Sequence, residues 1–321
     1  MQMIFRVLFA LGIVALGGHS AGAQYYPTHQ IRIVVPFTPG GSNDVLGRII
    51  AQKLTDAWGR PVIVENRTGA AGSIGAEMVA KAAPDGYTLL VAANNILAIN
   101  PSMKEGTPFD PVKDFTPISL IGAVPILLAI NPSLSVNSVP ELISYAKAKP
   151  GELTFGSSGP GSPQHLAAEL FISLAGVQMQ HVPYRGTAPA LTDLMSGQIN
   201  LTFGAVNSMI PFVKDGKLKA LGVTTRERLS YLPDVPSIGE TLPNYDTDIW
   251  IAFMAPAKTP KDIVTKLQSE IYKIFADPVV REQLALQGIE PRTSTAEELT
   301  TLISDDLARW KTIIARNGLN Q

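Results

Sequence analysis

The stretch Val34-Val-Pro-Phe-Thr-Pro-Gly-Gly-Ser-Asn-Asp-Val-Leu-Gly-Arg-Ile-Ile50 passes from an apolar run, through a glycine corner, into an amphipathic segment. The run from Ile31 to Pro36 is short and rich in β-branched residues, as a buried strand requires. From Asp44 to Trp58, the side chains Val45, Leu46, Ile49, Ile50 and Leu54 fall on one helical face. Such a corner aims backbone N–H groups at whatever sits above the helix start, and that object is usually an anion.

Outward from this corner the alternation continues. Pro61–Glu65 reads as a second strand, and a helix is expected from about Ile74 to Ala83, ended by Pro84-Asp-Gly86. Tyr87–Ala92 reads as a third strand. This β-α-β-α-β order implies a parallel sheet covered on both faces. The pattern restarts with strands at Pro125–Ile130, Leu153–Gly156, Gln180–Val182, Leu201–Gly204 and Lys219–Val223. Helices at Val139–Lys147, Gln164–Ala175 and Ala188–Ser196 separate them. Another apolar strand lies near Ile249–Ala255, and helical segments follow at Lys261–Phe275, Pro278–Gln287 and Ala296–Asn317. The last two carry start signals at Asp277-Pro278 and at Ser294/Thr295 before Glu297. A second α/β unit inserted into a first, with crossings near Gly122–Val124 and Tyr245–Ile249, fits this order.

The N-terminus reads as a leader. Arg6 precedes a nearly unbroken apolar run from Val7 to Gly18, and Ala21-Gly-Ala23 forms a small-residue cleavage site, so residues 1–23 are expected to be a secretory signal peptide. A membrane span needs about 20 apolar residues, more than this run supplies. Removing residues 1–23 from the 321 leaves 298, enough for two domains at roughly 100–200 residues each. The chain has no cysteine, which excludes disulfides, thiolate metal sites and cysteine nucleophiles. It carries 26 Lys and Arg against 27 Asp and Glu, with no basic tract, so nucleic acid is not an expected partner. His19, His29, His165 and His181 lie far apart, and no metal-ligand spacing or cofactor fingerprint is found.

Three glycine corners carry the candidate chemistry: Phe37-Thr-Pro-Gly-Gly-Ser42, Gly69-Ala-Ala-Gly-Ser-Ile-Gly75 and Gly156-Ser-Ser-Gly-Pro-Gly-Ser162. Each places Gly and Ser where a helix exposes unpaired donors. None contains the lysine of a phosphate loop or the G-x-G-x-x-G of a dinucleotide site. Ser144-Tyr-Ala-Lys147 matches S-x-x-K, but lies inside a predicted helix without the companion motifs. A secreted serine hydrolase using Ser158 and His165 is the alternative reading. His165 falls in the first turn of a helix, however, where the positive end of the dipole lowers its basicity. In His181-Val-Pro-Tyr-Arg-Gly186, Arg185 offers a bidentate partner for a carboxylate or, equally, a surface stack on Tyr184. Asp44 and Asp193 read as helix-end or structural carboxylates.

Several of these motifs resemble one family. Val35-Pro-Phe-Thr-Pro-Gly-Gly-Ser-Asn-Asp44, Val64-Glu-Asn-Arg-Thr-Gly-Ala-Ala-Gly-Ser-Ile-Gly75, Pro84-Asp-Gly-Tyr87, Phe155-Gly-Ser-Ser-Gly, His181-Val-Pro-Tyr-Arg-Gly186 and Ala188-Pro-Ala-Leu-Thr-Asp193 are similar to the Bug family. These are extracytoplasmic substrate-binding proteins of tripartite tricarboxylate transporters. The resemblance implies a type II periplasmic binding-protein fold of the α/β class, with two domains, a two-strand hinge and a ligand cleft. On it, residues 24–123 and 247–321 form the first domain and 124–246 the second.

The resemblance further implies a periplasmic, monomeric receptor that holds a small carboxylate, without a cofactor, and delivers it to membrane subunits. The acid would be a di- or tricarboxylate, an acidic amino acid or an aromatic acid. Carried over residue by residue, the binding positions are Phe37, Thr38, Gly40, Gly41 and Ser42, then Ala71 and Gly72, then Asn94 and Asn95. Across the cleft they are Ser158, Gly159, Ser162, His165, Tyr184, Arg185 and Ala205. Thr38 stands where the family usually has proline and adds a hydroxyl. Arg185 is often lysine in the family and favours a second planar anionic group.

Overall fold

The structure, a computed structural model, describes residues 26–103, 106–184 and 186–316. The expected leader and Arg185 lie outside the described residues. The opening stretch forms β1 (Ile31–Val35) and α1 (Ser42–Trp58), joined by the corner at 37–41. β2 (Val62–Asn66), α2 (Ser73–Ala80) and β3 (Thr88–Ala93) follow, and β1 pairs in parallel with both strands. α1 stops at Gly59, whose φ of 63° is the left-handed turn that glycine adopts without a steric penalty. In β3, Leu89 to Ala92 are all fully buried, as expected for a strand covered on both faces. Each of Leu89, Leu90 and Val91 contributes about 1.5–3 kcal/mol relative to exposure.

After β3 the chain winds through a π-helical turn at Asn95–Ile99 into α3 (Asn100–Ser102) and then β4 (Phe115–Val124). Pro125 alone separates β4 from β5 (Ile126–Ile130), which opens the second unit. There follow α4 (Val139–Ala148), β6 (Thr154–Ser157), α5 (Pro163–Ala175) and β7 (Gln180–Pro183). Next come α6 (Thr187–Ser196), β8 (Leu201–Ala205), α7 (Val206–Lys214) and β9 (Lys219–Val223). The chain then returns through β10 (Ile249–Pro256) to α8 (Lys261–Ala276), α9 (Pro278–Ala285) and α10 (Ala296–Arg316).

Two five-stranded sheets result, ordered β2-β1-β3-β10-β4 and β7-β6-β8-β5-β9. The first is mixed rather than wholly parallel, because β10 runs antiparallel to both β3 and β4. β4 was not legible as a strand: Thr116, Pro117 and Ser119 interrupt its apolar pattern. It is an edge strand, where proline is tolerated, and its pairing slips where Pro117 meets Met254. α7 escaped for a related reason, since Pro211 lies inside it and no side chain caps its start.

The two units are joined where β4 runs into β5 and where residues 224–248 lead back to β10. The crossings lie side by side: Ile249 pairs with Val124, and the Thr247 N–H donates to the Thr224 carbonyl at 3.0 Å. Tyr245, fully buried, ties the return segment to the second unit through its hydroxyl on the Ala167 carbonyl at 2.9 Å. Glu290 exchanges backbone hydrogen bonds with Ala123, and the Arg292 guanidinium reaches both Asp248 and Glu290. One cation therefore spans both crossings.

Burial pushes the Asp248 carboxyl up to about 6 despite Arg292, with Asp246 and Glu290 adding to the rise. The unfolded carboxyl titrates near 4. Between about pH 4 and 6 the folded state thus keeps a proton that the unfolded chain has lost. The contribution of Asp248 to stability falls as pH rises through that window and is level above it. Asp248→Asn should flatten the melting temperature against pH between about 4 and 6 relative to wild type. Scanning calorimetry across that range checks this, and an unchanged slope would assign the dependence to other carboxyls.

Candidate functional site

The first corner is organised by an anion of the protein's own. Asp44, 3% exposed in the first turn of α1, accepts from the Gly40 N–H at 2.9 Å, Asn66 Nδ2 at 2.9 Å and Arg48 Nε at 2.8 Å. Burial alone would raise its pKa, but these donors outweigh it and hold the carboxyl below its ordinary value. Asn66 also donates to the Phe37 carbonyl at 3.0 Å, so the turn is pinned from two sides. Gly40 has φ of 89°, which explains glycine at that step.

The second corner contains consecutive left-handed residues, Ala70 at φ 45°, Ala71 at φ 51° and Gly72 at φ 94°. For alanine this conformation costs roughly 1–2 kcal/mol. It is held from outside by two amides: Asn95 Nδ2 and Asn100 Nδ2 both donate to the Ala71 carbonyl, at 2.9 and 3.2 Å. At Gly72, with φ of 94°, a Cβ would be strained and would fall 2.7 Å from the Ile96 side chain, which would have to shift.

In the third corner Ser162 caps α5 by accepting from the His165 N–H at 3.2 Å, and Pro163 fills the first helical position. The Gly161 N–H donates to His165 Nδ1 at 3.2 Å, so that nitrogen is unprotonated and His165 carries its proton on Nε2, facing Glu169 at 3.5 Å. The His165 ring stacks on His181 at 3.9 Å, and His181 Nε2 lies 2.7 Å from Ser157 Oγ. Burial, then proximity to His165, pushes the His181 pKa down to about 4. These imidazoles brace the corner from behind. The Ser158 hydroxyl donates to Gln164 Oε1 at 3.0 Å, an amide oxygen that cannot serve as a base. The Ser158–His165 hydrogen bond that a hydrolase would use is replaced by these two contacts.

Between the corners lies a cavity of about 370 Å³. The first unit lines it with Phe37, Asn43, Ala71, Asn95 and Asn100, the second with Ser158, Gly161, Ser162 and Gln164, and Ile249 borders it at the return crossing. Of the positions chosen from sequence, Phe37, Ala71, Asn95, Ser158 and Ser162 line the cavity. Gly72 and His165 sit behind it as described. Thr38, Gly40 and Gly41 are exposed on the first corner beside Ser42, and Gly159 is half-buried in the third. Asn94 instead ties the return crossing, its Nδ2 donating to the Asp248 carbonyl at 2.8 Å. Tyr184 is committed to Asp193, at 2.7 Å, and Ala205 precedes α7 and packs against the core of the first unit.

Asn43, Asn100 and Gln164 were missed. The signal was present: Asn43 and Gln164 each lie two residues past the N-cap, in the first turn of a helix that leaves a glycine corner. Among the described residues, every polar side chain on the cavity wall is a neutral amide or hydroxyl. Among the described residues, no group of His, Asp and Glu could hold a metal ion, and no helix is long and apolar enough to cross a membrane.

Two α/β lobes on paired crossing strands, closing on a cavity walled by helix starts, define a two-domain solute-binding protein. Residues 46–319 match the tripartite tricarboxylate transporter family receptor, and the chain belongs to that family. It is 36% identical to Protein BugT of Bordetella pertussis over 98% of both chains. Among solved structures, the R. palustris protein Rpa4515 with adipate superposes with a TM-score of 0.79 at 38% identity, covering 91% of this chain and 98% of that one. MatC (Rpa3494) from Rhodopseudomonas palustris with bound malate does so at 0.76 and 30%, covering 90% and 100%. The family is one of solute-binding receptors, and solved relatives are periplasmic binding proteins.

The Ala71 clamp yields a direct expectation. Asn95→Ala removes the shorter donor from a strained carbonyl and should destabilise the protein by about 1–3 kcal/mol. Denaturant melts of the variant beside Asn100→Ala measure this, with the larger loss expected at position 95 because its bond is shorter and more buried.

Proposed function

We propose that this protein is the periplasmic receptor of a tripartite tricarboxylate transporter. It captures a small organic acid in the cavity between the glycine corners and hands it unchanged to the membrane subunits. Residues 24–123 and 247–321 act as one lobe and 124–246 as the other. The observation that carries this reading is the wall of the cavity, where neutral donors from both units converge beside the second corner and the start of α5. Each helix start contributes a partial positive charge of about half a unit, which favours a carboxylate without a paired cation. The chemistry of the third corner supports binding over turnover, since Ser158 has an amide partner and His165 accepts from a backbone N–H. Adipate and malate in the two relatives are acids of a size that suits about 370 Å³. Export would follow from the leader at residues 1–23, and the receptor would work as a monomer.

A thermal-shift panel of adipate, malate, citrate, glutamate and benzoate, with a neutral sugar as control, tests the reading. An acid at a hundred times its Kd should add about 2.7 kcal/mol of apparent stability. Stabilisation by the sugar with none from any acid would refute it.

A further inference from the structure

A second cavity, of about 390 Å³, forms a groove between α1 and α9 on the first unit. α1 lines it with Val45, Arg48, Ile49, Gln52 and Lys53, a stripe spaced i, i+3, i+4, i+7, i+8 down one helical face. α9 and the turn after it contribute Gln283 and Gln287. At one end of α9, Lys53 reaches Asp277, the N-cap residue, at 2.7 Å. At the other end the Gln287 carbonyl accepts from Asn207 Nδ2 of the second unit at 2.9 Å. A Cβ on Gly288 would fall 2.7 Å from the same asparagine. The groove therefore ends where the two units touch.

Its surroundings have the composition of a contact surface. α9 carries the two most exposed large apolar side chains among the described residues, Leu286 at 84% and Val279 at 69%. Val279, Gln283 and Leu286 share one face at i, i+4 and i+7, so the apolar pair stands beside the groove. Apolar side chains grouped in this way beside a groove mark a partner site. The charged residues on the groove wall, Arg48 and Lys53, are both cations, and their partners Asp44 and Asp277 do not line it. Three glutamines complete the wall with both donors and acceptors.

Resting on the receptor reading, we propose that the α1–α9 groove is where the receptor docks on the membrane subunits. It takes an extracytoplasmic segment of theirs that carries an apolar side chain beside an acidic one. The apolar side chain meets Val279 and Leu286 above Val45 and Ile49, and the acidic one meets Arg48 and Lys53. A membrane subunit must tell a loaded receptor from an empty one. A change in the angle between the units would move Asn207 against Gln287 and reshape the end of this groove, which makes it a surface that reports closure. A second copy of the chain has no such requirement.

The test measures binding of the transporter's membrane subunits, held in nanodiscs, to immobilised receptor by surface plasmon resonance. Acid affinity by calorimetry and melting temperature are recorded on the same proteins. Leu286→Asp and Gln283→Trp, which charge the apolar rim and fill the groove, should each weaken nanodisc binding about 10-fold or more. Acid affinity and melting temperature should stay at the wild-type values. Lys53→Gln should weaken docking about 3-fold and lessen its salt dependence. Leu174→Gln, at an exposed leucine of the second unit, should change nothing. Wild-type docking by both Leu286→Asp and Gln283→Trp would overturn the proposal and leave the receptor reading in place. So would acid affinity lost in step with docking, which would make α9 a structural support, or a wild-type dimer that Leu286→Asp dissolves in sedimentation. A wild-type protein that binds an acid but no nanodisc would overturn the delivery to membrane subunits and the docking with it, and one that binds no acid would remove the receptor reading itself.

Discussion

The antiparallel pairing of β4 with β10 is the constraint on which the rest of the molecule depends. It runs from Ile249 opposite Val124 to Pro256 opposite Phe115 and brings the outgoing and returning chain to the same end of one sheet. Because both crossings leave from that end, the second unit is tethered by two adjacent segments rather than by separate linkers. The same pairing gives β10 a partner on each side and lets α8 and α10 pack back onto β4. Ile249, the first residue of β10, then borders the cavity, so the tether and the cavity share a residue.

The three glycine corners face one physical problem, a helix start left with unpaired donors in a crowded turn, and solve it in three ways. The first uses a buried carboxylate, Asp44, to collect the donors of its own turn. The second lets two asparagines grip a carbonyl whose backbone would otherwise relax. The third uses a serine cap and an imidazole that accepts from Gly161. At the first corner the residues that hold the shape, Asp44, Asn66 and Arg48, stand behind the cavity wall, as His165 does at the third, whereas at the second Asn95 and Asn100 both hold the turn and line the cavity. Positions behind a wall are consequently as constrained as positions on it.

The strand and helix order was legible because the relevant segments have clean periods. β3 and β10 are near-continuous apolar runs, β1 is apolar but for Arg32, and α1, α5 and α8 have one apolar face. β4 and α7 were not legible, since Pro117 and Pro211 break patterns that tertiary pairing and packing then restore. At the site, the glycine corners announced where the backbone turns. They did not announce that Gly40 would spend its N–H on Asp44, or that Tyr184 would turn to Asp193, because both depend on side chains that fold back from elsewhere. Asn43 was hidden for the opposite reason. A single amide beside a glycine pair reads as ordinary helix-start composition until its burial is known.

Asp44 has one further consequence. By settling its own carboxylate among the donors of the first corner, the protein has already filled the electrostatic well that the α1 start would offer. The filled well lies at the corner that the motif advertises most strongly. The resident anion thus works as a spacer. It makes the donors of that turn part of the fold, held by a charge of the protein's own.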